Sequence, residues 1–85
     1  MTSDQVRDLL STRLPACDFY VQGEGSKFAI TAVGDVFTEL KMPVKKQQYV
    51  YAGLQEEIAS GAIHAVTIKT YTPEQWQNAQ HLQVG

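Results

Sequence analysis

Three side chains in this sequence are imidazoles or thiols, and they are His64, His81 and Cys17. Imidazole is a ligand for iron, zinc and copper, and a thiolate is both a ligand and a nucleophile. His64 opens a run of alternating residues, where a strand would fix the direction of its ring. Ordinary interpretations compete with these. An isolated histidine is often a half-buried polar residue, a free cysteine is commonly buried, and His81 lies near the chain end.

The sequence lacks the motifs of common catalytic sites. It has no phosphate-binding loop, no Gly-x-Ser-x-Gly, no His-Glu-x-x-His and no Cys-x-x-Cys. Its adjacent acids, Glu56 and Glu57, fall in a predicted helix, where neighbouring side chains diverge by about 100°, and we interpret them as solvated surface. A chain of 85 residues also offers little concave volume for a substrate. We therefore expect no enzyme and no small-molecule substrate.

A local basic patch is predicted around Pro43, because no acidic residue occurs between positions 40 and 55. Lysines in the first turn of a helix oppose its dipole, which favours a compensating role such as contact with phosphates. Three lysines are equally typical of an ordinary solvated helix start. The residues that would form the patch are Lys41, Lys45 and Lys46, extended by Lys69 and Lys27.

Composition limits the remaining possibilities. Nine acids against seven bases give a net charge of −2, so no overall positive field attracts nucleic acid or anionic lipid. The single cysteine excludes an internal disulfide, and neither a signal sequence nor an apolar run of membrane-spanning length is present. We expect one domain over residues 1–85 in the reducing cytoplasm.

The first half of the chain predicts a helix followed by a hairpin. Thr2 and Gln5 have the spacing of a capping box, and apolar residues then recur at helical spacing until Pro15. Alternating residues and a glycine-rich connection follow, which is typical of an antiparallel hairpin. The predicted elements are a helix over 3–13, strands over 17–22 and 27–33, and a connection over 23–26.

The second half predicts a helix, a strand and a last helix. Pro43 fits a helix start, and Gly61 fits a helix end. Thr72, Pro73 and Gln75 combine an N-cap, a first-turn proline and a capping box, opening a helix that presents Trp76, Ala79 and Leu82 before the tail frays. The predicted elements are an irregular stretch over 34–42, a helix over 43–59, a strand over 63–70 and a helix from 73. The order αββαβα predicts an α+β fold, a three-stranded mixed sheet with helices on one face.

With these elements in place, the chain resembles the BolA family, and within it the IbaG-like bacterial branch. The resemblance spans nearly the whole chain and depends on the order and spacing of its segments. Those segments are GEGSKF at 23–28, AVGDVF at 32–37, VKKQQYVY at 44–51, IHAVTIK at 63–69 and YTPEQW at 71–76.

The resemblance implies an αββαβα fold similar to class II KH domains and a cytosolic partner, a monothiol glutaredoxin. In such pairs the two proteins hold a [2Fe-2S] cluster used in iron-sulfur trafficking or iron sensing. The glutaredoxin cysteine and glutathione ligate on one side, and the histidine at the position of His64 ligates on the other. Histidine in place of a thiolate removes negative charge from the cluster and raises its potential.

The sequence departs from the family pattern at one ligand position. Family members usually offer a second Cys or His from the hairpin loop, immediately before the aromatic residue that corresponds to Phe28. Here that residue is Lys27, preceded by Gly25 and Ser26, and none of the three is a good iron ligand. Cys17 would replace the missing ligand only if the start of its strand approaches His64 in space.

The resemblance also implies an alternative function, since other BolA proteins are DNA-binding transcriptional regulators. Lys41, Lys45 and Lys46 match the basic contact region of those proteins. The Gly-x-x-Gly loop with which KH domains hold single-stranded RNA does not occur in this sequence. Three phosphate contacts would give a shallow dependence of affinity on salt, with a log-log slope of about −3.

Overall fold

The first helix, α1, spans Ser3–Arg13, as the sequence predicted. This and the following observations come from a computed structural model that describes residues 1–83, with the backbone alone for 81–83. The predicted capping box is present: the Gln5 N–H donates to Thr2 Oγ1 at 3.1 Å, and the Thr2 N–H donates to Gln5 Oε1 at 2.9 Å. Val6 and Leu10 on the inner side of α1 are buried.

The hairpin is longer than predicted, with β1 over Asp18–Glu24 and β2 over Lys27–Val33. Its turn therefore contains only Gly25 and Ser26, not four residues. Gly25 has a φ of +69°, which a two-residue hairpin turn requires at its first central position. Gly23 belongs to β1 with a φ of +131°, and a Cβ there would collide with the carbonyl oxygen of Lys27.

The third strand, β3, spans Ala65–Tyr71 and pairs with β2 in parallel. The strand order is β1-β2-β3, so the sheet is mixed, as predicted. Its register runs from Lys27 opposite Ala65 to Val33 opposite Tyr71. Alternate strand residues point into the main core, where they meet α1 and the segment between β2 and β3. The buried strand residues of this core are Phe19, Phe28, Ile30, Ala32 and Ile68.

The predicted helix over 43–59 was wrong as one element, because this segment divides into two helices, and the stretch over 34–42 that was expected to be irregular contains a third. The three helices are α2 over Val36–Glu39, α3 over Pro43–Ala52 and α4 over Gln55–Ser60. A Cβ at Gly53, in the break after α3, would lie within 3.1 Å of the Leu10 and Leu14 side chains. The break therefore lets the connection pass close to α1 while Leu54 remains buried.

The last helix, α5, spans Pro73–Gln83 and begins with the predicted capping box. The sequence predicted that all helices pack on one face of the sheet, but α5 does not, because its Trp76 packs on the face opposite to the main core. The Trp76 ring lies 5.1 Å from that of Tyr20 and 5.3 Å from that of Tyr71. The His81 and Leu82 side chains and the predicted fraying of the tail lie outside the described residues. Within residues 1–83, no helix has the length and apolar character needed to cross a bilayer.

Candidate functional site

His64 lies immediately before β3, not within the strand as predicted. Two hydrogen bonds fix the main chain here: the His64 N–H donates to the carbonyl oxygen of Ser26 at 2.8 Å, and the Ala65 N–H donates to the same oxygen at 3.2 Å. Ile63, the preceding residue, is buried in the core. The His64 side chain is exposed, so a firmly held backbone presents an accessible imidazole.

The His64 ring lies beside the end of α4. Gly61 ends that helix with a φ of +84°, and a Cβ at Gly61 would be 3.8 Å from His64 Cε1. The Ile63 N–H donates to the Glu57 carbonyl oxygen at 3.2 Å, which ties the loop back to α4. The ring therefore lies next to the end of α4, and its own main chain is held by the hairpin turn.

The hairpin turn next to His64 is braced by the start of α1. Ser3 Oγ donates to the Gly23 carbonyl oxygen at 2.7 Å, and the Met1 amino group donates to the Gly25 carbonyl oxygen at 3.4 Å. The loop from which the resemblance implies a second ligand is thus adjacent to His64. It offers Gly25, Ser26 and Lys27, without a thiol or an imidazole.

Cys17 does not meet the condition under which it would join His64 as a ligand. It precedes Asp18, which pairs with Val33 at the far end of β2, whereas His64 lies beside the Lys27 end. More than six residues of strand separate the two, which therefore lie more than about 20 Å apart. Cys17 is only 6% exposed, and burial, with a smaller effect from Asp18, raises the pKa of its thiol. Its position therefore agrees with the interpretation as a buried structural residue.

A metal site formed by this chain alone is not found among the residues whose side chains are described. No group of three or more His, Cys, Asp or Glu side chains comes together in that part of the chain. Within that part of the chain, no second thiol or imidazole lies beside His64.

The five lysines named in the sequence lie on three parts of the fold. Lys27 lies at the hairpin beside His64, and Lys69 lies four residues further along the sheet register. Lys45 and Lys46 lie in the first turn of α3, and Lys41 lies two residues before that helix. Gln47 Nε2 of α3 donates to the Ile68 carbonyl oxygen at the outer edge of β3. Lys46 is half-buried, and the other four are exposed.

Comparison with known proteins gives the family. The family model described as BolA-like protein matches residues 10–75. This chain belongs to the BolA family. It is 42% identical over 82 residues to the acid stress protein IbaG of Escherichia coli K12, covering 96% of each chain.

Two further comparisons extend this result. The structure of a bolA protein homologue from Coxiella burnetii superposes with a TM-score of 0.80 at 26% identity, covering 91% of this chain and 97% of that one. The DNA-binding transcriptional regulator BolA of Vibrio cholerae is 39% identical over 56 residues, which cover 66% of this chain and 51% of that protein. The observed mixed sheet and its helices are thus those of a BolA protein.

The interpretation of Glu57 as solvated surface was wrong for this BolA-family chain. Its side chain is 15% exposed and accepts hydrogen bonds from Arg13 at 2.6 and 3.1 Å. These bonds, more than any other cause, lower the pKa of the Glu57 carboxyl. Glu56 is exposed as expected. The sequence carried no signal for this pair, because its partners are 44 residues apart.

Proposed function

We propose that this BolA-family protein is a non-enzymatic adaptor that pairs with a monothiol glutaredoxin and contributes His64 to a [2Fe-2S] cluster shared by the two proteins. The observation that carries the proposal is the exposed His64 side chain on a main chain fixed by Ser26. A ligand that must meet a second protein needs both accessibility and a defined direction. His64 combines them.

The donor set fits one side of a shared cluster. The exposed imidazole supplies one nitrogen ligand, and the adjacent turn supplies neither sulfur nor a second imidazole. A cluster here would therefore take its other ligands from the glutaredoxin cysteine and glutathione. When bound, such a cluster would supply transferable iron and sulfide or a redox-sensitive signal, at a potential raised by the histidine ligand.

The turn and His64 together define a small docking surface for the partner. Gly25 and Ser26 stand at the tip, and Lys27 adds a positive charge beside it. Glutathione carries carboxylates, and a cluster with thiolate ligands is anionic, so Lys27 would favour both electrostatically. Its exposed ammonium makes a long-range contribution and is not a ligand.

Anaerobic reconstitution of the pair, followed by visible circular dichroism, tests this function. The His64→Ala variant should lose or markedly change the cluster signal, while far-ultraviolet spectra stay unchanged because the side chain is exposed. Cys17→Ala is the matched control, since it removes the alternative ligand more than about 20 Å away and should leave the cluster signal intact. A wild-type signal in His64→Ala, or its loss in Cys17→Ala alone with an intact fold, would contradict the assignment.

A second candidate function is DNA binding through the lysines in and just before the first turn of α3. Among the described residues, no lysine takes part in an ion pair, because the ion pairs found there are made by Arg7 and Arg13. Exposed Lys41 and Lys45 are therefore available to phosphates. The name of the Vibrio cholerae relative points in the same direction.

Charge reversal tests this second function. Lys41→Glu combined with Lys45→Glu should abolish binding to promoter DNA without unfolding the protein, since both side chains are exposed. Glu24→Gln with Glu74→Gln, which alters charge elsewhere, should leave binding in place or strengthen it. Binding that survives the lysine reversals would exclude this surface.

A further inference from the structure

A cleft on the open side of the sheet has no part in the functions above. It lies opposite to the main core, under the start of α5, and has a volume of about 360 Å³. Alternation along the strands gives the cleft a floor of short side chains, which are Ala29 and Thr31 of β2 and Thr67 of β3. Larger side chains of β1 and β3 stand on either side of this floor. The volume of the cleft lies within the range of small-ligand sites.

One wall of the cleft is aromatic. Tyr20 and Trp76 are stacked at 5.1 Å with an interplanar angle of 25°, and Tyr71 contacts Trp76 from β3. Tyr20 remains 48% exposed, although its ring is already in contact with Trp76. The wall therefore retains aromatic surface against which another planar ring can pack.

The remaining lining is polar and positively charged. Among the described lining residues, Lys69 carries the only charge. Four polar side chains of the lining make no side-chain hydrogen bond within the described part of the protein, and they are Gln22, Thr31, Thr67 and Lys69. Their donors and acceptors are therefore available to a ligand. Tyr20 pairs with Thr31, and Thr31 with Lys69, so the wall, the floor and the charge lie in one row across the sheet.

We propose that this cleft binds a nucleotide, with the base against the Tyr20–Trp76 wall and the phosphate at Lys69. The two ends of the row are separated by two strand spacings, about 10 Å, which a base, a sugar and a phosphate together span. The threonine hydroxyls of the floor and the Gln22 amide beside it can bond the edge of the base or the sugar. A planar ring joined to an anion matches all three parts of the cleft.

The nucleotide could be free or part of a single strand, and the neighbouring surface distinguishes the two. A second depression shares Gln22, Ala29 and Thr67 with the cleft and continues towards Lys27 at the hairpin. Lys27 lies four residues from Lys69 in the sheet register, about 13 Å. A single strand would extend into this depression and use both lysines, whereas a free nucleotide would use the first cleft alone.

Nuclear magnetic resonance titration of isotope-labelled protein tests the site with three probes: uridine, uridine monophosphate and a uridine tetranucleotide. Uridine monophosphate should cause saturable shifts at Thr31, Thr67 and the Trp76 indole, with an affinity roughly tenfold above that of uridine. Lys69→Gln should remove this advantage of the phosphate. Lys45→Gln, with the same change of charge on α3, should preserve it.

The ring contact is tested separately by Tyr20→Leu, which keeps an apolar side chain and should weaken uridine and its monophosphate equally. If the shifts reach Lys27 and the tetranucleotide binds at least tenfold more tightly than uridine monophosphate, the ligand is a single strand. If the two bind with equal affinity, the ligand is a free nucleotide. Absence of saturable binding by all three probes would overturn the proposal. Equal losses in Lys69→Gln and Lys45→Gln would overturn it as well.

Discussion

Arg13, the last residue of α1, donates two hydrogen bonds to the carboxylate of Glu57 in α4, at 2.6 and 3.1 Å. The same guanidinium donates to the Gly53 carbonyl oxygen at 2.7 Å. Arg13 therefore joins α1 both to the break after α3 and to α4. Because the Glu57 carbonyl oxygen accepts the Ile63 N–H, the contact also supports the loop that carries His64.

Removing the charge of Glu57 should destabilise the protein, whereas the same change at its neighbour should not. Glu57→Gln keeps the size of the side chain but replaces one acceptor oxygen by an amide NH2, which cannot accept a hydrogen bond. One bond from Arg13 is lost and the other is no longer to a charged group, so we expect the melting temperature to fall by a few °C. Glu56→Gln is the matched control, because Glu56 is 86% exposed and 3.6 Å from Arg13. Calorimetry of the two variants and the wild type measures the effect. Equal melting temperatures for both variants would show that the short contact adds no stability.

The stabilisation by Glu57 should depend on pH in a defined direction. The hydrogen bonds from Arg13 hold the pKa of Glu57 below its usual range, and unfolding restores the usual value. The contribution to the free energy of unfolding is therefore complete above the usual pKa and is lost as pH falls through the lowered one. The difference in urea midpoint between wild type and Glu57→Gln should shrink from about pH 6 to about pH 3. A difference that grows on acidification would contradict this sign.

The protein should be destabilised even by the addition of a single methyl group at Gly34. A Cβ there would lie 2.9 Å from the Ala16 carbonyl oxygen and 2.9 Å from Cys17 Sγ, where the chain enters β1. Gly34→Ala should therefore lower the free energy of unfolding by about 1–3 kcal/mol, because main chain or a buried side chain must move.

Urea unfolding of Gly34→Ala measures this loss of stability, and the same substitution is measured again in a Cys17→Ala background. In a Cys17→Ala background one of the two close contacts is absent, so Gly34→Ala should cost less there than in the wild type. An equal cost in both backgrounds would assign the effect to the Ala16 carbonyl oxygen alone.

Local sequence signals predicted the elements whose determinants lie within a few residues. The capping boxes at Thr2 and Thr72 gave the starts of α1 and α5, and strand alternation with glycine gave the hairpin. The break at Gly53 was not predictable in this way, because it depends on Leu10, Leu14 and Arg13, about forty residues earlier in the chain.

The residues of the candidate site could likewise be predicted from the sequence, whereas their positions relative to one another could not. The resemblance singled out His64 and the ligand position at Lys27, which the register of β2 and β3 brings together. The distance of Cys17 from His64 required knowing the register of β3 on β2, which places His64 at the hairpin end of the sheet. The aromatic cleft depends on α5 crossing to the opposite side of the sheet, which periodicity alone does not encode.

Supplying a ligand at position 27 should strengthen a shared cluster, if His64 is a ligand as proposed. Lys27 is adjacent to the hairpin turn and pairs with Ala65, the residue after His64. Lys27→His places a second imidazole in this region, and we expect the cluster reconstituted with a monothiol glutaredoxin to survive exposure to air about severalfold longer. The loss of visible absorbance with time measures that lifetime.

Two further variants separate ligation from a change of charge. Lys69→His makes the same substitution four residues further along the register and should leave the lifetime unchanged. Lys27→Gln removes the charge without adding a ligand, and it should not prolong the lifetime, because a glutamine amide is a poor ligand for iron in a cluster. Prolongation by Lys27→Gln equal to that by Lys27→His would attribute the gain to charge. Prolongation that persists in the Lys27→His, His64→Ala double variant would show that the new imidazole acts without His64.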